Sequence, residues 1–337
     1  MSGSEQALPG DQPAFAGLVE RHRGELRVHC YRMLGSFDES EDLVQETFLR
    51  AWRGRGTFAG RSTVRAWLYR IATNACLDAL ARRPAARQVA AAPDPGDGPP
   101  PPVAVGWLQP YPDRLLDRAA PAGDEPDAAV VAKETIELAF LAAIQYLPPR
   151  QRAVLILRDV LGWTAAEAAE ALDTSIASVN SALQRARPTI KGHLPAHRSE
   201  WATPADADRE VLRRYMAAIE RSDDAALAAL LRDDVRAGHQ PGAGGHTGAE
   251  PTWYQGRETV LAGWAPALHG PDAVEFRFIP VGANRQPAAA TYVRPPGGTD
   301  FVAFGLTVLR IEDGAVAEVT VFGPAVFAAF DLPDTVT

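Results

Sequence analysis

Between Thr174 and Arg198 the chain places Arg185, Arg187, Lys191 and Arg198 with no acidic residue among them. Ser178, Asn180, Ser181 and Gln184 stand at helical spacing beside these cations. Short amides and hydroxyls pair with base edges, and arginines with bases or phosphates, so this set suits readout of a DNA major groove. A second set lies upstream, where Phe58, Arg61, Arg65, Trp67, Tyr69, Arg70, Asn74, Arg82 and Arg83 interleave aromatics with cations. Flat rings take unstacked bases, cations take phosphates, and an amide such as Asn74 reads the pairing edge of an extruded base. That is the chemistry of strand capture. A third set is acidic: Glu39, Glu41, Asp42 and Glu46 cluster beside Gln45, the makings of one charged half of a protein interface. Last, His239, His246, Trp253, Tyr254, Arg257, His269 and Asp272 could line a pocket. No two of them are spaced as an acid–base pair, and the histidines lack further metal ligands, so no catalytic residue, metal or cofactor is expected.

These residues need elements to hold them. Thr164 followed by Glu167 is a capping box, which starts a helix near residue 165. Leu172 and Ile176 bracket a turn at Asp173-Thr174-Ser175, Ser175 caps the next helix, and Val179, Leu183 and Ala186 form its apolar seam. The result is a helix-turn-helix; its plain alternative is an amphipathic hairpin with a solvated polar face. Residues 14–83 read as wholly helical, with Leu43, Phe48, Leu49 and Trp52, then Trp67, Leu68, Ile71, Ala75 and Leu80, on apolar faces. Trp67 and Ile71 are expected in the core and Cys76 as a buried small apolar residue. Residues 127–146 read as an amphipathic helix stopped by Pro148-Pro149.

Residues 84–126 hold 11 prolines, which remove donors and fix φ, so this stretch reads as an extended linker. Inside it the island Trp107 to Asp117 carries Trp107, Tyr111 and two leucines, and is expected to dock on a neighbouring domain. Beyond a hinge near 195–205, helical spacing (Val211, Tyr215, Ile219) gives way to four alternating β runs, the last two joined at Asp313-Gly314. This reads as an α+β domain of two helices, a loop with a short helix, and four strands.

The net charge of -8 speaks at first against nucleic acid, but it is unevenly spread. Residues 1–83 carry 12 Lys and Arg against 10 Asp and Glu, whereas 201–337 carry 11 against 18. The acidity belongs to the linker and the C-terminal part, leaving a local basic stripe. No stretch approaches the roughly 18 apolar residues of a membrane span. The first residues lack the basic start and apolar core of a secretory signal, and two cysteines give no disulfide framework. A cytoplasmic chain with no membrane partner is expected.

The strings SEDLVQETFLRAWR (40–53), TFAGRSTVRAWLYRIATNACLDALARR (57–83) and LPPRQRAVLILRDVLGWTAAEAAEALDTSIASVNSALQRAR (147–187) closely resemble the extracytoplasmic-function group of sigma-70 family RNA polymerase sigma factors. TWYQGRETV (252–260) resembles a SnoaL-like (NTF2-like) domain. The resemblance implies a multidomain chain. Two all-α domains, a region 2 at 12–83 and a helix-turn-helix region 4 at 127–196, would flank the Pro-rich linker at 84–126, and a cone-shaped α+β domain would span 205–332. It implies core RNA polymerase as partner, its β′ clamp helices meeting Glu41, Asp42, Gln45 and Glu46. Melted promoter DNA at −10 would meet Phe58, Arg61, Arg65, Arg70, Asn74, Arg82 and Arg83. Duplex DNA at −35 would meet Ser178, Asn180, Ser181, Gln184, Arg185 and Arg187, where Asn180 and Ala182 stand in place of the more basic side chains common in the family. Trp107, Tyr111 and Asp113 fall in the regulatory linker, and His239, Trp253, Tyr254 and Arg257 in a pocket open to a small ligand. The expected function is promoter-specific initiation modulated by the C-terminal domain. Two alternatives stay open: a helix-turn-helix regulator acting without polymerase, and an NTF2-like enzyme with a DNA-binding appendage. Oligomeric state, promoter consensus, signal and any anti-sigma partner are not legible.

Overall fold

The computed structural model describes residues 12–83 apart from 59 and 61, then 101–119, 135–194, and 205–337 apart from 247 and 272. Two compact units form. The first takes the described parts of 1–98, 114–135 and 143–194, the second those of 99–113, 136–142 and 195–337.

In the first unit, helices α1 (Gln12–Leu34), α2 (Phe37–Gly54) and α3 (Val64–Arg82) pack on one another. Gly35, at φ 72°, ends α1 in a conformation that disfavours a side chain. Ser36 and Thr63 then cap α2 and α3, accepting the Glu39 and Ala66 amides at 3.3 and 3.1 Å. Leu26, Val44, Leu68, Ala72 and Cys76 fill the space between them. Later in the chain come α4 (Asp113–Ala119), α5 (Leu138–Gln145), α6 (Pro149–Leu155) with a π turn at Ile156–Val160, α7 (Ala165–Ala171) and α8 (Ile176–His193). The sequence expectation of a helix over 127–146 is corrected: Thr135–Glu137 form a turn, α5 begins at Leu138, and 127–134 lie outside the described residues. Helix α8 also runs through Pro188 to His193, although proline supplies no amide to the preceding turn.

Arg152 joins the two helical blocks of this unit. It is 4% exposed and donates to the carbonyls of Met33, Gln145 and Leu147 and to the Gln145 side chain. These carbonyls follow or end helices, so one guanidinium satisfies several acceptors that burial would otherwise strand. Burial, and then the nearby Arg83 charge, pull its pKa down to about 9.

The second unit is built on a seven-stranded sheet ordered β2-β1-β6-β5-β4-β3, with β7 pairing β5. Its elements are α9 (Ala205–Glu220), α10 (Asp224–Leu230), β1 (Leu231–His239), β2 (Thr252–Gln255), α11 (Arg257–His269), β3 (Glu275–Ala283), β4 (Gln286–Arg294), β5 (Phe301–Glu312), β6 (Ala315–Phe322) and β7 (Thr335–Val336). β1 runs parallel to β6; every other pairing is antiparallel. One sheet face carries Val235, Ala237, Leu309, Val319 and Val321 against Val211, Tyr215 and Ile219 of α9 and Val260 of α11.

The second face of the sheet is covered as well. β4 and β6 are buried almost throughout, because residues 101–113 and 136–142 lie on that face. Gln240 Nε2 donates to the Val103 and Val105 carbonyls at 3.2 and 2.9 Å. The Tyr111 amide donates to Asn284 Oδ1 at 2.8 Å and Asn284 Nδ2 to the Ile136 carbonyl at 2.7 Å. The Leu138 amide donates to Gln286 Oε1 at 3.0 Å. The Pro-rich stretch is thus not irregular throughout: Pro102–Ala104 make a 3-10 turn and the proline-free Asp113–Ala119 a helix.

Candidate nucleic-acid interface

The helix-turn-helix forms as the local signals require. Thr164 accepts the Glu167 amide at 3.2 Å while the Glu167 carboxylate accepts the Thr164 amide at 2.7 Å, closing the capping box. Those bonds hold the Glu167 carboxyl below its usual pKa. Asp173 takes the turn at φ 48°, and Ser175 accepts the Ser178 amide at 3.1 Å. Val179, Leu183, Ala186 and Ile190 bury the seam of α8. Ala182 belongs to that seam too, so it faces the core rather than a groove.

Ser178, Asn180, Gln184 and Arg185 are exposed, and Ser181 is half-buried, accepting Arg185 Nη1 at 2.7 Å. Arg187 is exposed but committed: its Nε and Nη2 grip Asp159 at 3.0 and 2.8 Å. That pair holds the Arg187 guanidinium on Asp159, although residue 187 follows Gln184 on the same helix face. Sequence reasoning missed Ile176, half exposed at the start of the helix, where an apolar side chain can meet a thymine methyl.

Helix α3 presents Trp67, Arg70, Ile71 and Asn74 on one ridge, Arg70 exposed and the other three half-buried. Trp67 and Ile71 are therefore not core residues; the core side of the helix is already filled by Leu68, Ala72 and Ala75. Phe58 packs its ring 5.3 Å from that of Trp67, giving a partly open aromatic surface beside Arg70. Arg82 is exposed at the helix end. Arg61 lies outside the described residues.

Two other expected contacts, the exposed Arg65 and the half-buried Arg83, already have partners within the protein. Arg65 Nε donates to Glu25 at 2.7 Å and lies over the Tyr69 ring, and Arg83 Nη2 donates to the Leu34 carbonyl at 3.1 Å and to Glu39 at 2.5 Å. Tyr69 is 2% exposed with its hydroxyl on Glu25 at 3.2 Å, which makes it a core residue.

On α2 the acidic cluster divides. Glu41 is paired with Arg23 and, at 3.1 Å, with Arg27; burial opposes its ionisation, but these two guanidinium bonds outweigh that and lower its pKa. Glu46 bonds Arg50 at 2.8 Å. Asp38, Asp42, Gln45 and Leu49 remain exposed along one helical ridge. Leu49, expected in the core, is 51% exposed because Val44, Phe48 and Ala51 occupy the buried side. An exposed leucine among acids is a better docking feature than the acids alone. Its i+4 spacing from Gln45 was the available signal.

In the second unit, Tyr111 is fully buried and Asp113 Oδ1 accepts the Arg285 amide at 2.8 Å; Trp107 is half-buried. Asn284 and Arg285, both at φ 59°, form the hairpin turn that receives them, and Asn284 was missed in the sequence. His239 and Tyr254 line a cavity of about 270 Å³ between the sheet and helices α9 and α11. Trp253 and Arg257 do not. Strand alternation turns Trp253 to the opposite side, 48% exposed, while Arg257 Nε donates to the Leu231 carbonyl at 3.0 Å and its guanidinium pairs with Asp233. The glycine-rich loop after His239 is pinned, Gln240 and Gly242 donating their amides to the Val321 and His246 carbonyls.

Comparison with known proteins fits this arrangement. Residues 18–85 match the model of sigma-70 region 2, 137–189 that of sigma-70 region 4, and 212–319 that of a SnoaL-like domain. The ECF RNA polymerase sigma factor SigG of Mycobacterium tuberculosis is 41% identical over 330 residues, covering 95% of this chain and 84% of the relative. The ECF sigma factor SigW of Bacillus subtilis is 30% identical over 190 residues, 56% of this chain and 94% of its own. The crystal structure of SigJ from M. tuberculosis superposes with a TM-score of 0.58 at 24% identity, covering 95% of this chain and 99% of that one.

Proposed function

The chain belongs to the extracytoplasmic-function group of RNA polymerase sigma factors, and from that membership we propose how its surfaces share the work. As a sigma factor it directs core RNA polymerase to promoters and starts transcription there. The ridge Asp42–Gln45–Leu49 docks on the polymerase, with Glu41 and Glu46 setting the field around it. Phe58, Arg70 and Asn74 take the opened −10 strand, the two side chains on α3 lying one turn apart. Ser178, Asn180, Gln184 and Arg185 enter the −35 major groove. Arg65, Arg83 and Arg187 hold the scaffold through their carboxylates. The segment containing Trp107, Tyr111 and Asp113 carries regulation by the C-terminal domain, and the chain works by binding rather than turnover, in the cytoplasm where the polymerase is.

The observation that supports this division best is α8, whose exposed face carries amides, hydroxyls and Arg185 with no acid while its seam is fully buried. Run-off transcription with purified core polymerase on a promoter library tests it. Activity from a distinct set of promoters is expected from the intact chain. Failure of both the intact chain and a version ending near residue 200 on every promoter would sink the assignment, whereas identical activity of the two would remove only the regulatory part.

A further inference from the structure

Helices α1 and α3 run side by side in the same direction. Their contacts step forward together: Glu25 with Tyr69, His29 with Thr73, then the Leu34 carbonyl with Arg83. Between the last two contacts Cys30 and Cys76 meet. They are the two cysteines of the chain, both free and fully buried, and their thiols hydrogen-bond one another. Neither belongs to the DNA-reading or polymerase-docking surfaces. Thiols already in contact across two helices need side-chain rotation, rather than movement of the helices, to join as a disulfide.

Burial, and then the Cys30 bond, hold the Cys76 thiol well above its ordinary pKa, while Arg83 and Arg152 pull it the other way. The thiol is inert while the helices stay closed. When they part and water enters, the two guanidiniums favour the thiolate, which makes Cys76 the attacking sulfur. Full burial keeps bulky oxidants out and admits one of hydrogen peroxide's size during such openings. The thiolate takes one peroxide oxygen, the O–O bond breaks, and a first water leaves with the Cys76 proton. Cys30 then attacks the sulfenic sulfur, the S–O bond breaks, and a second water carries off the hydroxyl and the Cys30 proton. Two thiols give up two electrons and two protons, and one peroxide accepts them.

We propose that Cys30 and Cys76 are a peroxide-responsive pair whose disulfide staples α1 to α3. Arg70 and Asn74 lie on the other side of α3 from Cys76 by helical phase, so the staple leaves that exposed ridge in place. The inference rests on packing within the first unit and stands whether or not the promoter reading holds. The test treats the intact chain with hydrogen peroxide and maps its peptides by mass spectrometry without reduction. A linked pair of peptides carrying Cys30 and Cys76, lighter by two hydrogens, should accumulate over minutes to hours and vanish with dithiothreitol. Oxidised glutathione should add to neither cysteine. The urea midpoint of the oxidised chain should rise by about 1 M or more, because the cross-link restricts the unfolded state. Cys30→Ser should stop at a sulfenic acid on Cys76 that dimedone traps, and Cys76→Ser should give no adduct. Circular dichroism verifies both variants, and the linked peptides and midpoint of the intact chain decide the matter if either does not fold. Oxidation without the linked pair, or a mixed disulfide with glutathione, overturns the pair. A disulfide with an unchanged or lower midpoint overturns the staple, and a dimedone adduct on Cys30 alone overturns the order of attack.

Discussion

His29 shows how one buried group ties stability to pH. Its Nε2 lies 2.9 Å from Thr73 Oγ1, and that hydroxyl already donates to the Tyr69 carbonyl at 2.7 Å. The ring therefore donates from Nε2, and Nδ1 is left as a bare lone pair with no partner. A second proton would add a buried charge. Burial, and then Arg32, push the pKa from an ordinary 6.5 down to about 3. The unfolded chain takes the proton first, so this stability is whole above pH 6.5 and is lost as pH falls towards 3. The expected slope is about 1.4 kcal/mol per pH unit in that window. Urea midpoints between pH 4.5 and 7.5 should follow it, and His29→Gln should flatten the profile. The lowered carboxyls of Glu25 and Glu41 act only from 4.5 downward, whereas His239, also pushed below 6.5 by burial, shares the upper window, so the difference between the wild-type and His29→Gln profiles isolates the His29 share. Arg152→Met keeps the packing but strands three buried carbonyls, and should cost about 3 kcal/mol or more, read as a lower urea midpoint.

At the scale of elements, α8 and β1 carry the sharpest expectations. Arg185 is exposed and, among the described residues, its side chain bonds only Ser181, so Arg185→Ala should weaken −35 binding by about 1–3 kcal/mol with relaxed preference at one base pair. A uniform loss across all sequences would assign Arg185 to a phosphate instead. On α3, Asn74→Ala should relax selection at a single −10 position in the same library. In β1, Gly238→Val would force a branched carbon into Val103, and neither side chain can rotate away cheaply. Hydrogen exchange over 101–113 should rise in that variant while the sheet stays protected. Unchanged exchange would show that the strand does not hold the segment.

For the whole molecule, the decisive feature is where the linker lies. Val103, Val105, Leu108 and Tyr111 are at most 2% exposed, and residues 101–113 belong to the same compact unit as the C-terminal sheet. Burying such side chains stabilises by about 1.5–3 kcal/mol each, more than a proline-rich tether can forgo without consequence. A chain ending near residue 200 should therefore expose this segment. It should bind more of a hydrophobic dye than the intact chain and exchange its 101–113 amides faster. Equal dye binding by the two would mean that the segment has another bed. The acidic surplus of 201–337 stays with this unit, which leaves the polar face of α8 free of acids in its own sequence.

Local chemistry was enough to read the helix-turn-helix, because a capping box, a tight turn and an apolar seam each act within a few residues. The basic stripe, the strand-capturing set and the family resemblance were legible for the same reason. Which members of each set remain available was not. Arg65, Arg83 and Arg187 have the right type and spacing, yet partners 40, 44 and 28 residues away in sequence commit them to carboxylates. Leu49 looked apolar and so internal, but α2 buries only the side that α1 and α3 can cover. β1 escaped notice because LRDDVRAGH does not alternate; its pairing with β6, more than 75 residues on, supplies the order that local pattern lacks. Short-range preference therefore settled what each segment becomes, while long-range packing alone determined which side chains it leaves free to act.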